Sequence, residues 1–228
     1  MQIVKNKNFG FHNKRSFVLF EKWVLVNFIA ELLGLGIIAF VDTIFPVHNN
    51  QNLQLVLILA GVFQGLILGV AQWLVLRRYM RNSIWWILAT TIGWLLGWLV
   101  ILFVRAIALF TIAVTQKEFD FVTSLLGVIW LGTAAGMLIG LAQAIVLRFC
   151  LKVKFHKVVW WMNANALICA LRFFLTFIVS SIMPNRFSLS TGLIILGMEG
   201  VMTVVCSGIT AIILIYLLQA NLRKRYSY

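Results

Sequence analysis

Six long apolar runs, each near the roughly 20 residues needed to cross a bilayer, account for nearly all of this 228-residue chain. Only 11% of its residues are charged, against about 25% in ordinary globular proteins. Because backbone polar groups in lipid must bond internally, the runs predict an all-α polytopic membrane protein with a single membrane domain at residues 1–228. The predicted transmembrane helices cover about residues 23–45, 53–76, 84–115, 121–149, 158–183 and 189–218, after a basic N-terminal segment at residues 1–16.

The basic residues are unevenly distributed along the chain. The formal net charge is +13, from 19 Lys and Arg against 6 Asp and Glu. Fifteen of the 19 lie at the N-terminus, in the second and fourth loops and at the C-terminus, which six spans place on one side of a membrane. This positive-inside pattern predicts cytoplasmic termini. We expect the basic rim to contact anionic lipid headgroups, and we expect no nucleic-acid partner. The clusters are Lys5, Lys7, Lys14, Arg15 and Lys22; Arg77, Arg78 and Arg81; Arg148, Lys152, Lys154 and Lys157; and Arg223, Lys224 and Arg225.

A short motif occurs three times. Gln72–Arg78 reads QWLVLRR, Gln143–Arg148 reads QAIVLR and Gln219–Arg225 reads QANLRKR, each at the basic end of an apolar run. Glycines four residues apart precede the first two copies at a common offset of 71 residues, and such glycines let another helix approach closely. The predicted helix-packing positions are Gly61, Gly65, Gly69, Gly132, Gly136 and Gly140.

The odd-numbered spans share a tryptophan near their start. Trp23, Trp86 and Trp161 are predicted at the membrane interface, where amphipathic aromatic rings concentrate. An outward helix opened by Trp and an inward helix closed by Gln and Arg form one predicted hairpin. The fold class is therefore six transmembrane helices arranged as three helical-hairpin pseudo-repeats. The third copy aligns with the others only at Gly208, at Gln219 and at its basic end.

Six polar residues are predicted at one depth, about one turn inside the tryptophans or the basic ends. They are Asn27, Gln72, Thr90, Gln143, Asn165 and Gln219. Two interpretations are open. The residues either hydrogen-bond neighbouring helices, because lipid offers no partner, or form a polar inner vestibule for an anionic headgroup or solute.

Four charged residues within the spans are candidate binding residues. Glu31, Arg172 and Glu199 fall near mid-span, whereas Arg105 lies in the outer third of span three. A charge at mid-helix costs about 2.5–3.5 kcal/mol and usually faces the interior with a partner. We therefore expect the three mid-span residues to converge, either as a binding site or as an ion pair that only fixes packing. The positions equivalent to Glu31 in the other odd-numbered spans are Trp94 and Cys169, and those equivalent to Arg172 are Gly34 and Gly97, so the repeated frame does not require these two charges, which favours function.

Motifs for chemistry are missing from the sequence. It contains no zinc-protease, nucleophile-elbow, phosphate-loop or dinucleotide motif. Three cysteines are odd in number and lack the spacing of metal ligands. The sequence predicts no catalytic residue, no metal and no cofactor. An enzyme acting on lipid is the least favoured class, because no nucleophile–base pair is visible.

One stretch carries a family resemblance. Gly65–Arg78 reads GLILGVAQWLVLRR and Trp85–Trp94 reads WWILATTIGW. Together they resemble uncharacterised six-helix bacterial membrane proteins that are frequent in cyanobacteria. The resemblance covers spans two to five best. It implies a multi-span fold in the inner or thylakoid membrane, and it brings no activity, substrate or catalytic residue.

These patterns leave two classes of function open. The first is a small carrier or channel, or its membrane-embedded solute-binding subunit, with a charged site at the midplane. The second is a structural or assembly subunit, whose glycine grooves receive partner helices, lipids or pigments in a homo-oligomer or larger complex. A water-lined cavity reaching Arg172 would favour the first class, and an outward-facing glycine groove would favour the second.

Overall fold

A computed structural model describes residues 14–44, 50–116, 119–182 and 189–225. These residues form six helices and no strand, which confirms the all-α prediction. The helices are α1 (Lys14–Ile44), α2 (Asn50–Leu76), α3 (Trp85–Thr115), α4 (Phe121–Leu151), α5 (Phe155–Ile182) and α6 (Leu189–Arg225). Helices α1 and α6 continue several residues beyond the predicted spans, into the polar ends of the sequence.

The six helices form a closed ring, in which each helix packs against the next and α6 packs against α1. Neighbouring helices run antiparallel. On α4 and α5, for example, Gly132 meets Ala170 and Gly140 meets Met162, so residue numbers rise along one helix as they fall along the other. The odd-numbered helices therefore start, and the even-numbered helices end, at the same end of the ring. This basic end carries Arg77, Arg81, Arg148, Lys152 and Lys157.

The hydrophobic core of the described residues lies toward the basic end. Leu76, Leu147 and Leu214, one from each even-numbered helix, are completely buried there. They belong to one cluster with three tryptophans from the odd-numbered helices. Since lipid tails are as apolar as leucine, close packing and polar contacts must stabilise this core more than exclusion from water does.

Four helical segments of the described chain are long and apolar enough to cross a membrane. They are Trp85–Thr115, Phe121–Leu151, Phe155–Val179 and Leu196–Gln219. The described apolar part of α2, Gly61–Leu76, is shorter, and α1 contains Glu21, Lys22 and Glu31. The chain is thus a multi-helix membrane protein, and four of its six predicted spans meet this criterion.

Both glycine stripes face helices of the same chain. A Cβ atom built at Gly65 on α2 would lie 3.0 Å from the Cα of Thr91 on α3. A Cβ at Gly136 on α4 would lie 2.8 Å from the Cα of Ala166 on α5. Neither distance leaves room for a side chain without movement of a backbone. The stripes therefore set the spacing within the pairs α2–α3 and α4–α5.

Asp120 caps the start of α4, at the end opposite the basic end. Its carboxylate accepts a hydrogen bond from the Thr123 backbone N–H at 3.2 Å. Hydrogen bonds from the side chain and backbone of Thr123 hold the pKa of the Asp120 carboxyl below its usual range. The carboxylate therefore stays ionised at the positive end of the helix dipole, which favours the start of the helix at this residue.

The glycine contacts can be tested with two substitutions in one helix. Gly136→Ala places a methyl group against the α5 backbone, so we expect a loss of about 1–3 kcal/mol in stability. Gly127→Ala is the control, because a Cβ there meets nothing within 4 Å. Thermal unfolding in detergent should show a lower Tm for Gly136→Ala alone. Equal melting of the two variants would contradict close α4–α5 contact.

Candidate functional site

Three tryptophans meet inside the ring, near its basic end. The rings of Trp23, Trp86 and Trp161 lie 6.3, 6.2 and 5.6 Å apart in pairs, in edge-to-face contact. We call this cluster the tryptophan triangle. Its members are 0%, 0% and 1% exposed, so their rings face the interior of the bundle, and their depth at the membrane interface stays a prediction. The preceding residues Trp85 and Trp160 are 58% and 64% exposed and occupy the outer surface instead.

Each indole of the triangle has an acceptor on an even-numbered helix. A buried N–H without an acceptor costs about 1–3 kcal/mol, so each of these three bonds stabilises the bundle. The Nε1 atoms of Trp86, Trp161 and Trp23 donate to Gln72 Oε1 at 2.7 Å, Gln143 Oε1 at 3.0 Å and Thr210 Oγ1 at 3.0 Å, respectively. The three bonds join α3 to α2, α5 to α4 and α1 to α6.

The amides continue this network across the ring. Gln72 Nε2 donates to Asn27 Oδ1 at 2.7 Å, and Gln143 Nε2 donates to Thr90 Oγ1 at 3.1 Å. The two glutamines are themselves joined at 3.4 Å. Asn165 Nδ2 instead donates to the carbonyl oxygen of Trp161, on its own helix. Four of the six predicted polar residues therefore link different helices within this layer, and Gln219 links α6 to α1 outside it, as the first interpretation requires.

Gln219 does not belong to this layer, contrary to the prediction. It donates to Ser16 Oγ at 3.4 Å, and Thr210 takes the place on α6 that Gln72 and Gln143 take on α2 and α4. Thr210 lies roughly 14 Å before Gln219 along the helix, at about 1.5 Å per residue. Because α6 continues beyond the ring, its basic residues lie farther from the polar layer than those of α2 and α4 do. Counting back from these basic residues therefore reaches Gln219 and not Thr210.

Glu31, Arg172 and Glu199 converge inside the ring, as expected from their common depth. Arg172 Nη2 lies 2.5 Å from Glu31 Oε1 and 2.5 Å from Glu199 Oε2. The cluster joins α1, α5 and α6, and its side chains are largely buried. Glu31 lies two turns beyond Trp23 on α1, so the cluster and the tryptophan triangle occupy separate layers. A binding role for these residues remains a prediction.

Two neutral side chains complete the charged cluster. Gln64 Nε2 donates to Glu31 Oε1 at 3.2 Å, and Thr176 Oγ1 donates to Glu199 Oε1 at 3.4 Å. Both carboxylates thus accept hydrogen bonds beyond their contact with the arginine. The structure does not bring Arg105 into this group, because Arg105 is exposed on α3 and forms no ion pair among the described residues.

A cavity of about 80 Å³ lies between the charged cluster and the polar residues that bond the tryptophan triangle. Glu31 and Arg172 line one part of it, and Asn27, Gln72 and Gln143 line another. Its α6 wall contains Thr203, Ser207 and Thr210. The cavity therefore connects the two polar groups that the sequence predicted separately.

Sequence reasoning missed part of this cavity wall. Thr203, Ser207 and Thr210 are spaced by four and three residues and are buried on one face of α6. This spacing indicates a polar face on the helix. It is a weak indication, because hydroxyl side chains in membrane helices can satisfy their hydrogen bonds on the backbone of their own helix. Gln64 was also missed, since it lies between two glycines of the α2 stripe and outside the repeated motif.

Comparisons with protein-family models, curated proteins and solved structures find no match to this chain. Function is therefore inferred from the cavity and its charged cluster alone.

The polar layer predicts a difference between two glutamines. Gln143→Leu removes three hydrogen bonds: those to Trp161, Thr90 and Gln72. At roughly 0.6 kcal/mol for each bond, and with buried partners left unsatisfied, we expect the free energy of unfolding to fall by about 2 kcal/mol. Gln219→Leu breaks one long bond at the edge of the bundle, and its Tm should stay near that of the wild type. Equal losses of Tm would show that the layer does not depend on Gln143.

Proposed function

We propose that this chain is a membrane carrier or small channel subunit that binds a proton or a small monovalent cation at Glu31, Arg172 and Glu199. The observation that carries the proposal is the sharing of one guanidinium group by two carboxylates. Both carboxylates contact the same nitrogen atom, Nη2 of Arg172. When all three groups are ionised, the cluster holds one negative charge in excess.

That excess charge is costly in a membrane interior. Insertion scales assign about 2.5–3.5 kcal/mol to a charged side chain at mid-helix. Gln64 and Thr176 donate neutral hydrogen bonds, which lower the cost without changing the charge. No second cationic side chain of the described chain pairs with either carboxylate. A single proton or monovalent cation would complete the balance of charge.

The size of the cavity is compatible with a small occupant. Its volume of about 80 Å³ has room for water beside the charged cluster. This space suits a proton carried through water, or a small cation. Trp94 also lines the cavity, and its buried indole Nε1 has no hydrogen-bond partner among the described atoms. It offers a donor to water near the charged cluster.

The direction of the glycine stripes also supports this proposal over an assembly role. The stripes on α2 and α4 contact α3 and α5 of the same chain, so they do not receive a partner helix. A polar cavity lined by Arg172 is present instead. A cavity that reaches Arg172 favours the carrier class, and glycine stripes that face inward count against the assembly class.

A specific feature supports the assembly role as the second candidate. An apolar groove of about 590 Å³ lies between α1 and α6, lined by Phe28, Leu32, Gly197, Gly200 and Val204. A Cβ atom added at Gly197 meets nothing within 4 Å. This outward-facing groove would accommodate an apolar partner helix.

Ion flux into proteoliposomes tests the carrier proposal. Vesicles with an internal pH dye report proton entry, and isotopic tracers report Na⁺ and K⁺ entry. We expect wild-type protein to accelerate the flux of one of these ions. The triple variant Glu31→Gln, Arg172→Leu, Glu199→Gln should fold, since replacement of a whole buried charge cluster is often tolerated, but its flux should fall to that of empty vesicles. Glu21→Gln, at an exposed carboxylate of α1, is the control for loss of charge.

Two outcomes would contradict the carrier proposal. Unchanged flux in a well-folded triple variant would leave the cluster a purely structural role. A wild type that transports none of the three ions would favour the assembly role and the α1–α6 groove.

We further propose that the six helices form three repeated pairs, α2–α3, α4–α5 and α6–α1, in place of the hairpins α1–α2, α3–α4 and α5–α6 that the sequence predicts. The matching Trp-to-acceptor hydrogen bonds of the three pairs support this arrangement. Alignment of Thr210 with Gln72 places Ser207, Thr203 and Glu199 where α2 has Gly69, Gly65 and Gly61. In this arrangement the third pair carries polar side chains where the others have glycine, and its glutamate belongs to the charged cluster.

The distribution of basic residues supports an orientation with the basic end in the cytoplasm of a bacterial inner or thylakoid membrane. After replacement of the native cysteines, Gln116→Cys and Lys154→Cys place exposed thiols at opposite ends of the ring. A membrane-impermeant reagent should label Gln116→Cys in intact cells and label Lys154→Cys only after lysis. The reverse pattern would invert the proposed topology.

A further inference from the structure

A second, larger groove opens on the outer surface between α3 and α4, at the basic end of the ring. It encloses about 760 Å³. Trp85 and Leu88 on α3 and Ile145 and Phe149 on α4 form its walls, and all four side chains are exposed. The groove is separated from the interior cavity and shares none of the charged cluster.

The packing of α3 against α4 explains the shape of this groove. The two backbones approach closely at Gly93, where an added Cβ would lie 2.8 Å from the Cα of Ile139. Toward the basic end, the small residues Ala89 and Ala142 line the groove between its bulky apolar walls. A cleft with apolar walls and a floor of small side chains suits a flexible acyl chain.

Two cations lie at the mouth of the groove. Arg81 comes from the α2–α3 turn and Lys152 from the end of α4, and both are exposed. The Cys150 thiol donates to the carbonyl oxygen of Asn82 at 3.8 Å, which holds the turn against the end of α4. The sequence contains no Asp or Glu in residues 43–117 or in residues 121–198. Only Glu118 and Asp120 lie between these two stretches. No carboxylate of the described chain neutralises either cation.

We propose that this groove is a binding site for one anionic glycerophospholipid. The phosphate lies between Arg81 and Lys152, and an acyl chain runs along Leu88 and Ile145 toward the Gly93 contact. Basic pockets between membrane helices bind anionic headgroups in this way. The site goes beyond a general attraction of the basic rim for the membrane surface, because it joins two fixed charges to a shaped apolar cleft. It is also independent of ion binding inside the ring.

Native mass spectrometry of the full chain in detergent tests this site. The protein is titrated with phosphatidylglycerol or with phosphatidylcholine of the same acyl chains. We expect one phosphatidylglycerol to be retained in preference to phosphatidylcholine. The double variant Arg81→Gln, Lys152→Gln should lower its affinity about 30-fold, at roughly fivefold for each cation near the surface. The control Arg78→Gln, Lys154→Gln removes the same charge from exposed positions outside the groove and should retain wild-type affinity.

A third variant tests the apolar part of the site without a change of charge. Leu88→Trp adds bulk to the groove from an exposed position, so it should also reduce lipid retention while the Tm stays near that of the wild type. Equal losses in both double variants would show a diffuse effect of rim charge and would overturn the proposal. So would a wild type without preference for phosphatidylglycerol, an unchanged affinity in Arg81→Gln, Lys152→Gln, or a co-purified protein in place of the lipid.

Discussion

The indole N–H groups of the tryptophan triangle impose the strongest constraint on this bundle. A buried indole N–H without an acceptor costs about 1–3 kcal/mol, and a helical backbone in lipid has already used most of its own carbonyl groups. An acceptor for these indoles is therefore best supplied by a side chain of another helix, at the right depth and facing inward. Gln72, Gln143 and Thr210 meet that requirement, one from each even-numbered helix. The three bonds thus fix the register of three helix pairs, and the glycine stripes set the distance within two of them.

The depth of a residue along its helix was predictable from the sequence, whereas the rotation of each helix about its own axis was not. Counting residues at about 1.5 Å each correctly placed Glu31, Arg172 and Glu199 in one layer. Rotation is normally inferred from a polar face, but a helix in lipid is apolar on both its inner and its outer faces. Trp85 and Trp86 illustrate the difficulty, because identical neighbouring residues lie outside and inside the ring. Gln219 illustrates a second one, since the length of α6 beyond the polar layer cannot be read from its basic residues.

The α6 helix differs from α2 and α4 where the interior site is built. Where α2 and α4 contact their neighbours through glycine, α6 turns Thr203 and Ser207 toward the cavity, and both hydroxyls bond backbone carbonyls of α6 itself. Gly200 and Gly208 of α6 meet phenylalanine side chains of α1 and no backbone. The polar wall of the cavity therefore lies on the even-numbered helix whose described glycines make no contact with a neighbouring backbone.

The tryptophan triangle also decides how an ion could reach the charged cluster. The three indoles are almost completely inaccessible and lie between the cavity and the basic end, so this end is closed in the structure. Passage toward the basic end requires the three rings to separate. Each indole bonds an acceptor within its own helix pair, so movement of one pair as a unit keeps these three bonds. It breaks only the bonds between pairs, and for α6–α1 the bond of the polar layer that breaks is the one from Gln72 Nε2 to Asn27 Oδ1. A carrier built on this ring would expose its site to the basic end by the movement of a single pair, and α6–α1 is the pair that supplies both carboxylates.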